Sequence, residues 1–166
     1  AIFDTRKVFR CFPKLTADNG SPVTTRPPSE RKKLMKLYDF ELAPNAQRVR
    51  IYLAEKGLEV PMAQLNVRED EQFAEPFTSM NPFHCVPFLE LDDGNVIAES
   101  MSICRYLEEL YPEPALFGRT AEERAVIDMW LRRFELDGFI PMLHAVRNHV
   151  PMFAGRVVPG TRTDLP

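Results

Sequence analysis

The chain has 166 residues, with 21 Lys+Arg against 24 Asp+Glu, a net charge of −3. That length suits one domain or one domain plus part of another, and the charge gives no overall attraction to nucleic acid. Three cysteines are too few for a disulfide framework and lack metal-ligand spacing, which suits a reducing compartment, and no run approaches the ~18 apolar residues of a membrane span.

The charge is unevenly spread. Residues 1–34 carry eight basic side chains against three acidic ones, whereas residues 35–166 carry 13 basic and 21 acidic. Asp4–Phe12 could form a short basic helix. Thr16–Ser29 is rich in Thr, Ser, Pro, Asn and Gly, a composition that buries too little to offset ordering entropy. Three readings of 1–34 stay open: an organelle-targeting leader, since leaders are basic and poor in acid, a disordered extension, or upstream sequence ahead of a start at Met35.

Order is expected from Met35. Lys36–Phe40 reads as a short strand. Pro44 fits the first turn of a helix, where its missing N–H would be unpaired anyway. That helix runs from Asn45 to about Lys56, with Ala46, Val49 and Leu53 on one stripe. Gly57 is a natural stop. Glu59–Leu65 is a second strand, and a strand–helix–strand of this length predicts parallel pairing. Arg68–Met80 reads as a weak helix interrupted by Pro76. Val86–Leu91 is a strand, Asp93–Gly94 a hairpin turn, and Asn95–Ala98 the returning antiparallel strand. Ser100 is expected to cap the next helix, which turns Ile103, Leu107 and Leu110 inward and ends before Pro112. Tyr111–Gly118 reads as a linker. Thr120 and Glu123 form a capping box for a long helix with Val126, Trp130 and Phe134 in one stripe, and Pro141 should kink it. After Phe153 the chain becomes rich in Gly and Pro. One long helix cannot bury its own face, so a second, helical domain is expected to be incomplete here.

Three features can carry chemistry. At Ala43-Pro44-Asn45 a strand turns into a helix, and the unpaired N–H groups of such a helix start face any anion placed there; a thiolate would be stabilised. At Val86-Pro87 the proline marks a sheet edge or a cis bond. A cis bond there would present the backbone of Val86 to an extended ligand. At Glu99-Ser100 a carboxylate stands beside a hydroxyl and a helix N-terminus, a combination able to bind both the ammonium and the carboxylate of an amino acid. Each also has a plain structural reading as a helix start, a strand start and a helix cap.

In this order and spacing, the segments LYDFELAPNAQRVRIYLAEKG, NPFHCVPFLELDDG and NVIAESMSICRYLEELYPE resemble the N-terminal domain of cytosolic glutathione transferases. The resemblance covers about Lys36–Pro112, and the helix from Thr120 resembles the opening helix of their all-helical C-terminal domain. It implies an α/β fold: a thioredoxin-like β-α-β-α-β-β-α domain over 35–112 followed by a truncated all-α domain over 113–166. It implies glutathione as co-substrate, a small electrophile as second substrate, a cytoplasmic location, and a homodimer where the helical domain is complete. Val86, ahead of a cis Pro87, would pair with the cysteinyl part of glutathione, while Glu99 and Ser100 would hold the γ-glutamyl end.

Two positions depart from the family pattern. Many relatives carry Ser or Cys where this chain has Ala43, which has neither hydroxyl nor thiol. The helix amides around Asn45 and Ala46, with the Asn45 side chain, are then the expected stabilisers of the thiolate. Relatives often place Gln or Lys at Cys85 to reach the glycyl carboxylate; here His84 or a residue of the preceding weak helix is expected to do so. Cys85 could form a mixed disulfide with glutathione or remain an inert thiol. Cys104 is expected in the core, and Tyr38 as a packing residue. Trp130, Arg133 and Phe134 could line an electrophile pocket, though the aromatics could equally serve packing. No metal site is expected. Besides a transferase, two alternatives remain: a glutathione-binding or protein-interaction module without transferase activity, and a glutathione-dependent thiol oxidoreductase using Cys85.

Overall fold

The computed structural model of the chain describes residues 35–151. The expected features of 1–34 and of the stretch after Phe153 lie outside the described residues. The chain divides between Leu116 and Phe117 into two compact units.

The first unit is built on four short strands: β1 (Lys36–Asp39), β2 (Met62–Gln64), β3 (Phe88–Glu90) and β4 (Val96–Ala98). Their order across the sheet is β2-β1-β3-β4. β1 pairs with β2 in parallel, Tyr38 opposite Ala63, as the strand–helix–strand pattern predicts. β1 and β3 are antiparallel with Tyr38 opposite Phe88, and β3 and β4 form the expected hairpin with Phe88 opposite Ala98. Among the described residues three helices complete the unit: α1 (Pro44–Glu55), the short α2 (Phe77–Met80) and α3 (Ser100–Leu110). The observed order is thus the β-α-β-α-β-β-α of the sequence reading.

Strand alternation divides the core between the two sheet faces. On one face Tyr38 stacks on Phe88 with ring centroids 4.5 Å apart. Leu65 completes this cluster, with Phe77, Met80 and Val86 packed around it. Leu37 and Leu89 alternate to the other face, where α1 and α3 pack together. Ala46, Val49 and Leu53 of α1 are buried as their spacing predicts, and so are Ile103, Cys104 and Leu107 of α3; Leu110 is half-buried. Each fully buried aliphatic or aromatic side chain contributes about 1.5–3 kcal/mol of burial free energy.

Three expectations need correction. The segment 68–80 is two single 3₁₀ turns, Val67–Glu69 and Glu71–Phe73, followed by α2; Asp70 between them has φ 62°, a left-handed conformation that ends a helix. β3 begins only at Phe88 and is an inner strand, so Pro87 does not mark a sheet edge. The residue ahead of α3 is Glu99, and Ser100 is already its first helical residue.

The turn from β1 into α1 is held by a buried ion pair. The carboxylate of Asp39, fully buried, accepts two hydrogen bonds from Arg50 Nη1 at 2.8 and 2.7 Å and one from Gln64 Nε2 at 2.6 Å. Arg50 Nη2 also donates to the carbonyl of Glu41 at 2.6 Å. One guanidinium, carried on α1, therefore holds the end of β1 and the loop that delivers Ala43 to the start of α1.

The second unit contains α4 (Ala121–Phe134), one π-helical turn (Glu135–Phe139) and α5 (Ile140–His149). The capping box is present: Glu123 N–H donates to Thr120 Oγ1 at 3.1 Å, and Thr120 N–H donates to Glu123 Oε2 at 3.2 Å. The disturbance expected from Pro141 takes the form of the π turn just before it. Ile140 N–H reaches back to the carbonyl of Glu135, widening the helix where the proline ring would crowd the preceding turn. Val126, Trp130 and Phe134 are exposed rather than a buried stripe. Among the described residues no helix is long and apolar enough to cross a membrane, and no cluster of His, Cys, Asp and Glu is arranged to hold a metal ion.

Candidate functional site

Two helix N-termini open onto the same point. In α1 the first intrahelical bond runs from Gln47 N–H to the Ala43 carbonyl, and Ala43 supplies no side-chain cap. Pro44 has no N–H, so the amides of Asn45 and Ala46 are left open at the end of α1. In α3 the first bond runs from Ile103 N–H to the Glu99 carbonyl, again with no side-chain cap. The amides of Ser100, Met101 and Ser102 are left open in the same way. Ser100 Oγ donates to Asn45 Oδ1 at 3.5 Å, which joins the two helix starts. The positive ends of both macrodipoles therefore converge on the Asn45–Ser100 pair, an arrangement suited to anions.

Ser100 departs from its expected capping role. It is 3% exposed, and its oxygen accepts a hydrogen bond from Arg48 Nη1 at 2.9 Å. Arg48 escaped the sequence reading. The available signal was its spacing, three residues after Asn45 and so on the same helical face.

Val86 is joined to Pro87 by a cis peptide bond. No backbone–backbone hydrogen bond among the described residues uses Val86. Since Phe88 pairs with Ala98, continuing the register by two residues on each strand brings Val86 opposite Ser100. Continuing the pairing of Tyr38 with Phe88 brings Val86 opposite Phe40, at the entry to the α1 turn. The sheet thus gathers the three motifs at one end. Glu99, exposed, has φ 69° and ψ 119°, a sparsely populated conformation for a non-glycine residue. Such residues persist where the surroundings fix them and are concentrated at functional sites.

The loop before Val86 is organised by the buried Asn81. Its Nδ2 donates to the carbonyl of Cys85 at 2.8 Å, its Oδ1 accepts from Phe83 N–H at 3.2 Å, and its own carbonyl accepts from His84 N–H at 3.0 Å. His84 is half-buried with φ 53°, and its ring lies 5.1 Å from that of Phe73. His84 Nδ1 and Gln72 Oε1 are buried side-chain atoms with no hydrogen-bond partner. Gln72 immediately precedes Phe73, so both orphaned atoms belong to segments meeting at the Phe73–His84 contact. Buried polar atoms without partners are uncommon and call for a ligand or water.

The remaining residues divide by burial. Ala46 is fully buried, so only its backbone amide can face a ligand. Cys85 is half-buried. Cys104 is buried in the core, as expected, and burial pushes its thiol up to about 12, which keeps it protonated and unreactive near neutral pH.

Comparison with known proteins agrees with this geometry. Residues 43–110 match the family model described as the glutathione S-transferase, N-terminal domain. Glutathione S-transferase 2 of Saccharomyces cerevisiae is 39% identical over 113 residues, covering 67% of this chain and 48% of that protein. A maleylacetoacetate isomerase of Pseudomonas aeruginosa is 40% identical over 98 residues, covering 55% and 46% respectively. The chain therefore spans under half the length of these two relatives. Among solved structures, Gtt2 from Saccharomyces cerevisiae superposes with a TM-score of 0.69 at 34% identity, covering 78% of this chain and 63% of that one.

Proposed function

Residues 43–110 form a glutathione S-transferase N-terminal domain, and from that premise we propose that the protein is a glutathione transferase, joining the thiolate of glutathione to an electrophilic small molecule. The observation that carries this reading is the convergence of two uncapped helix N-termini on Asn45 and Ser100, beside the unused backbone of Val86. Glutathione fits that arrangement because it is an extended, anionic tripeptide with an ammonium at one end.

In this reading the cysteinyl part of glutathione pairs with the N–H and C=O of Val86, ahead of Pro87. The amides at the start of α3 and the Ser100 hydroxyl take the α-carboxylate of the γ-glutamyl group, and Glu99 takes its ammonium. The buried Gln72 Oε1 accepts from the glycyl N–H, while His84, whose buried Nδ1 lacks a partner, serves the glycyl carboxylate as a donor. Cys85 offers no charge for that task and lines the same loop. The thiolate sits at the start of α1, where the amides of Asn45 and Ala46, with the Asn45 side chain, stabilise its charge in place of the hydroxyl that Ala43 lacks. The ionised sulfur attacks the electrophilic carbon, a C–S bond forms, and a leaving group departs with its bonding electrons. We extend the reading, on family membership, to a cytoplasmic protein that is a homodimer where its helical domain is complete.

Ala43 favours a second reading, a glutathione-binding or protein-interaction module without transferase activity. Retention on immobilised glutathione together with conjugation of a chlorinated aromatic supports the transferase, and retention without conjugation supports the module. Activity on mixed disulfides, abolished by Cys85→Ser, would instead make the protein a thiol oxidoreductase. Within the transferase reading, Asn45→Ala should shift the pH–rate profile to higher pH and lower turnover at neutral pH by roughly 10-fold. An unchanged profile removes the Asn45 side chain from thiolate stabilisation.

A further inference from the structure

The Arg48–Ser100 contact goes beyond a scaffold bond. Ser100 Oγ has one proton and two acceptor sites. Its oxygen receives a short hydrogen bond from the Arg48 guanidinium at 2.9 Å, whereas its own proton is directed to Asn45 Oδ1 at 3.5 Å, the limit of a hydrogen bond. The oxygen is held firmly and the proton loosely. A cationic donor on a hydroxyl oxygen also strengthens that hydroxyl as a donor, because hydrogen bonds in a chain polarise one another.

We propose that Arg48 is a positioning residue for the carboxylate site at the start of α3, fixing and polarising the Ser100 hydroxyl so that its proton is handed from Asn45 to the α-carboxylate of a γ-glutamyl ligand. The inference rests on the reading of Ser100 as part of the glutathione site. Arg48 lies three residues after Asn45, and its Nη1 reaches the first residue of α3. Its influence extends to Cys104, one turn along α3, where it opposes the upward pull of burial. Held at Ser100, the guanidinium adds its positive charge to the field of that helix end. On binding, the carboxylate gains a hydroxyl proton already aimed at it, and Asn45 Oδ1 gives up only a long hydrogen bond.

The test measures dissociation constants on the full chain by calorimetry. The ligands are glutathione and an analogue lacking the α-carboxylate, 4-aminobutyryl-cysteinyl-glycine. Arg48→Gln should weaken glutathione binding roughly 10-fold, the effect of a hydrogen bond to a charged group. It should change binding of the analogue by no more than about twofold, the scatter expected of independent sites. Arg48→Lys should recover part of the loss, and the Arg48→Gln/Ser100→Ala pair should bind glutathione no more weakly than Ser100→Ala alone. A purely structural staple between α1 and α3 would weaken both ligands equally, and its effect would add to that of Ser100→Ala; either result overturns the proposal. If Arg48→Gln does not fold, Arg48→Lys decides: a loss confined to glutathione supports the proposal, and an equal loss on both ligands or no loss overturns it. Failure of the unaltered protein to bind glutathione overturns the functional reading itself, which distinguishes that failure from one confined to Arg48.

Discussion

Lys56 should be among the most sensitive positions in the first unit. It follows the last residue of α1, and its side chain is fully buried. Its ammonium meets Glu108 Oε2 at 2.5 Å, the carbonyl of Tyr111 at 2.8 Å and that of Pro114 at 2.5 Å. Three N–H donors thus find three acceptors. Tyr52 donates its hydroxyl to the same Glu108 oxygen, and desolvation with that carboxylate pushes the Tyr52 hydroxyl strongly upward, so it stays protonated as a donor. Lys56→Met keeps an unbranched stem of four heavy atoms and removes the charged head. It takes the ammonium away from the Glu108 carboxylate, 13% exposed, and removes the Lys56 hydrogen bonds to two carbonyls. Removing one partner of a buried pair costs about 3–5 kcal/mol, a large share of the roughly 5–15 kcal/mol that stabilises a domain. Lys56→Met/Glu108→Leu removes that carboxylate as well. What remains is the loss of the Lys56 bonds to the two carbonyls and of the Glu108 bond to Tyr52, so the double variant should be destabilised less than the single one. Cys104 provides the assay: at 2% exposure its thiol becomes accessible when the first unit opens. Its labelling is followed across a urea series in a Cys11→Ser/Cys85→Ser background. A loss below about 1 kcal/mol for Lys56→Met, the range of an exposed ion pair, or a double variant less stable than the single one, would refute this reasoning.

Two predictions concern the second unit. Gly118 has φ +90°, and a Cβ there would lie 2.8 Å from Glu123 Cβ and 2.9 Å from Arg124 N; Gly118→Ala should therefore destabilise the start of α4 by about 1–3 kcal/mol. Thermal melting followed through Trp130, the single tryptophan, checks this, and an unchanged midpoint counts against it. The backbone N–H groups of Arg119 and Thr120 hold the Glu123 carboxyl below the ordinary glutamate range. A carboxyl depressed in the folded state stabilises it above the unfolded pKa and loses that contribution as pH falls through the folded one. The advantage of the unaltered chain over Glu123→Gln in helix content should therefore be present at pH 6 and fade below about pH 4.5. Circular dichroism of both proteins on acid titration measures it, and an advantage undiminished at the acid end contradicts the assignment.

The element order was legible in the sequence because each element has a local cause. Ala46, Val49 and Leu53 recur at helical spacing, Asp93–Gly94 suits a hairpin turn, and Thr120 with Glu123 closes a capping box within three residues. The three motifs at Ala43–Asn45, Val86–Pro87 and Glu99–Ser100 were legible for the same reason, and so was their order. The sequence did not show that Ser100 turns sideways to Arg48 instead of capping its own helix, since that bond joins residues 52 positions apart. Nor did it show that Asp39 is buried against Arg50 and Gln64, that Lys56 closes the end of α3, or that Gln72 and His84 leave buried atoms without partners. Periodicity and capping rules reach about four residues along a helix and two along a strand. Which charge meets which, and which polar atom is left open for a ligand, is decided only when sheet register and helix packing bring distant segments together, because burial then makes each unmet charge or hydrogen bond costly.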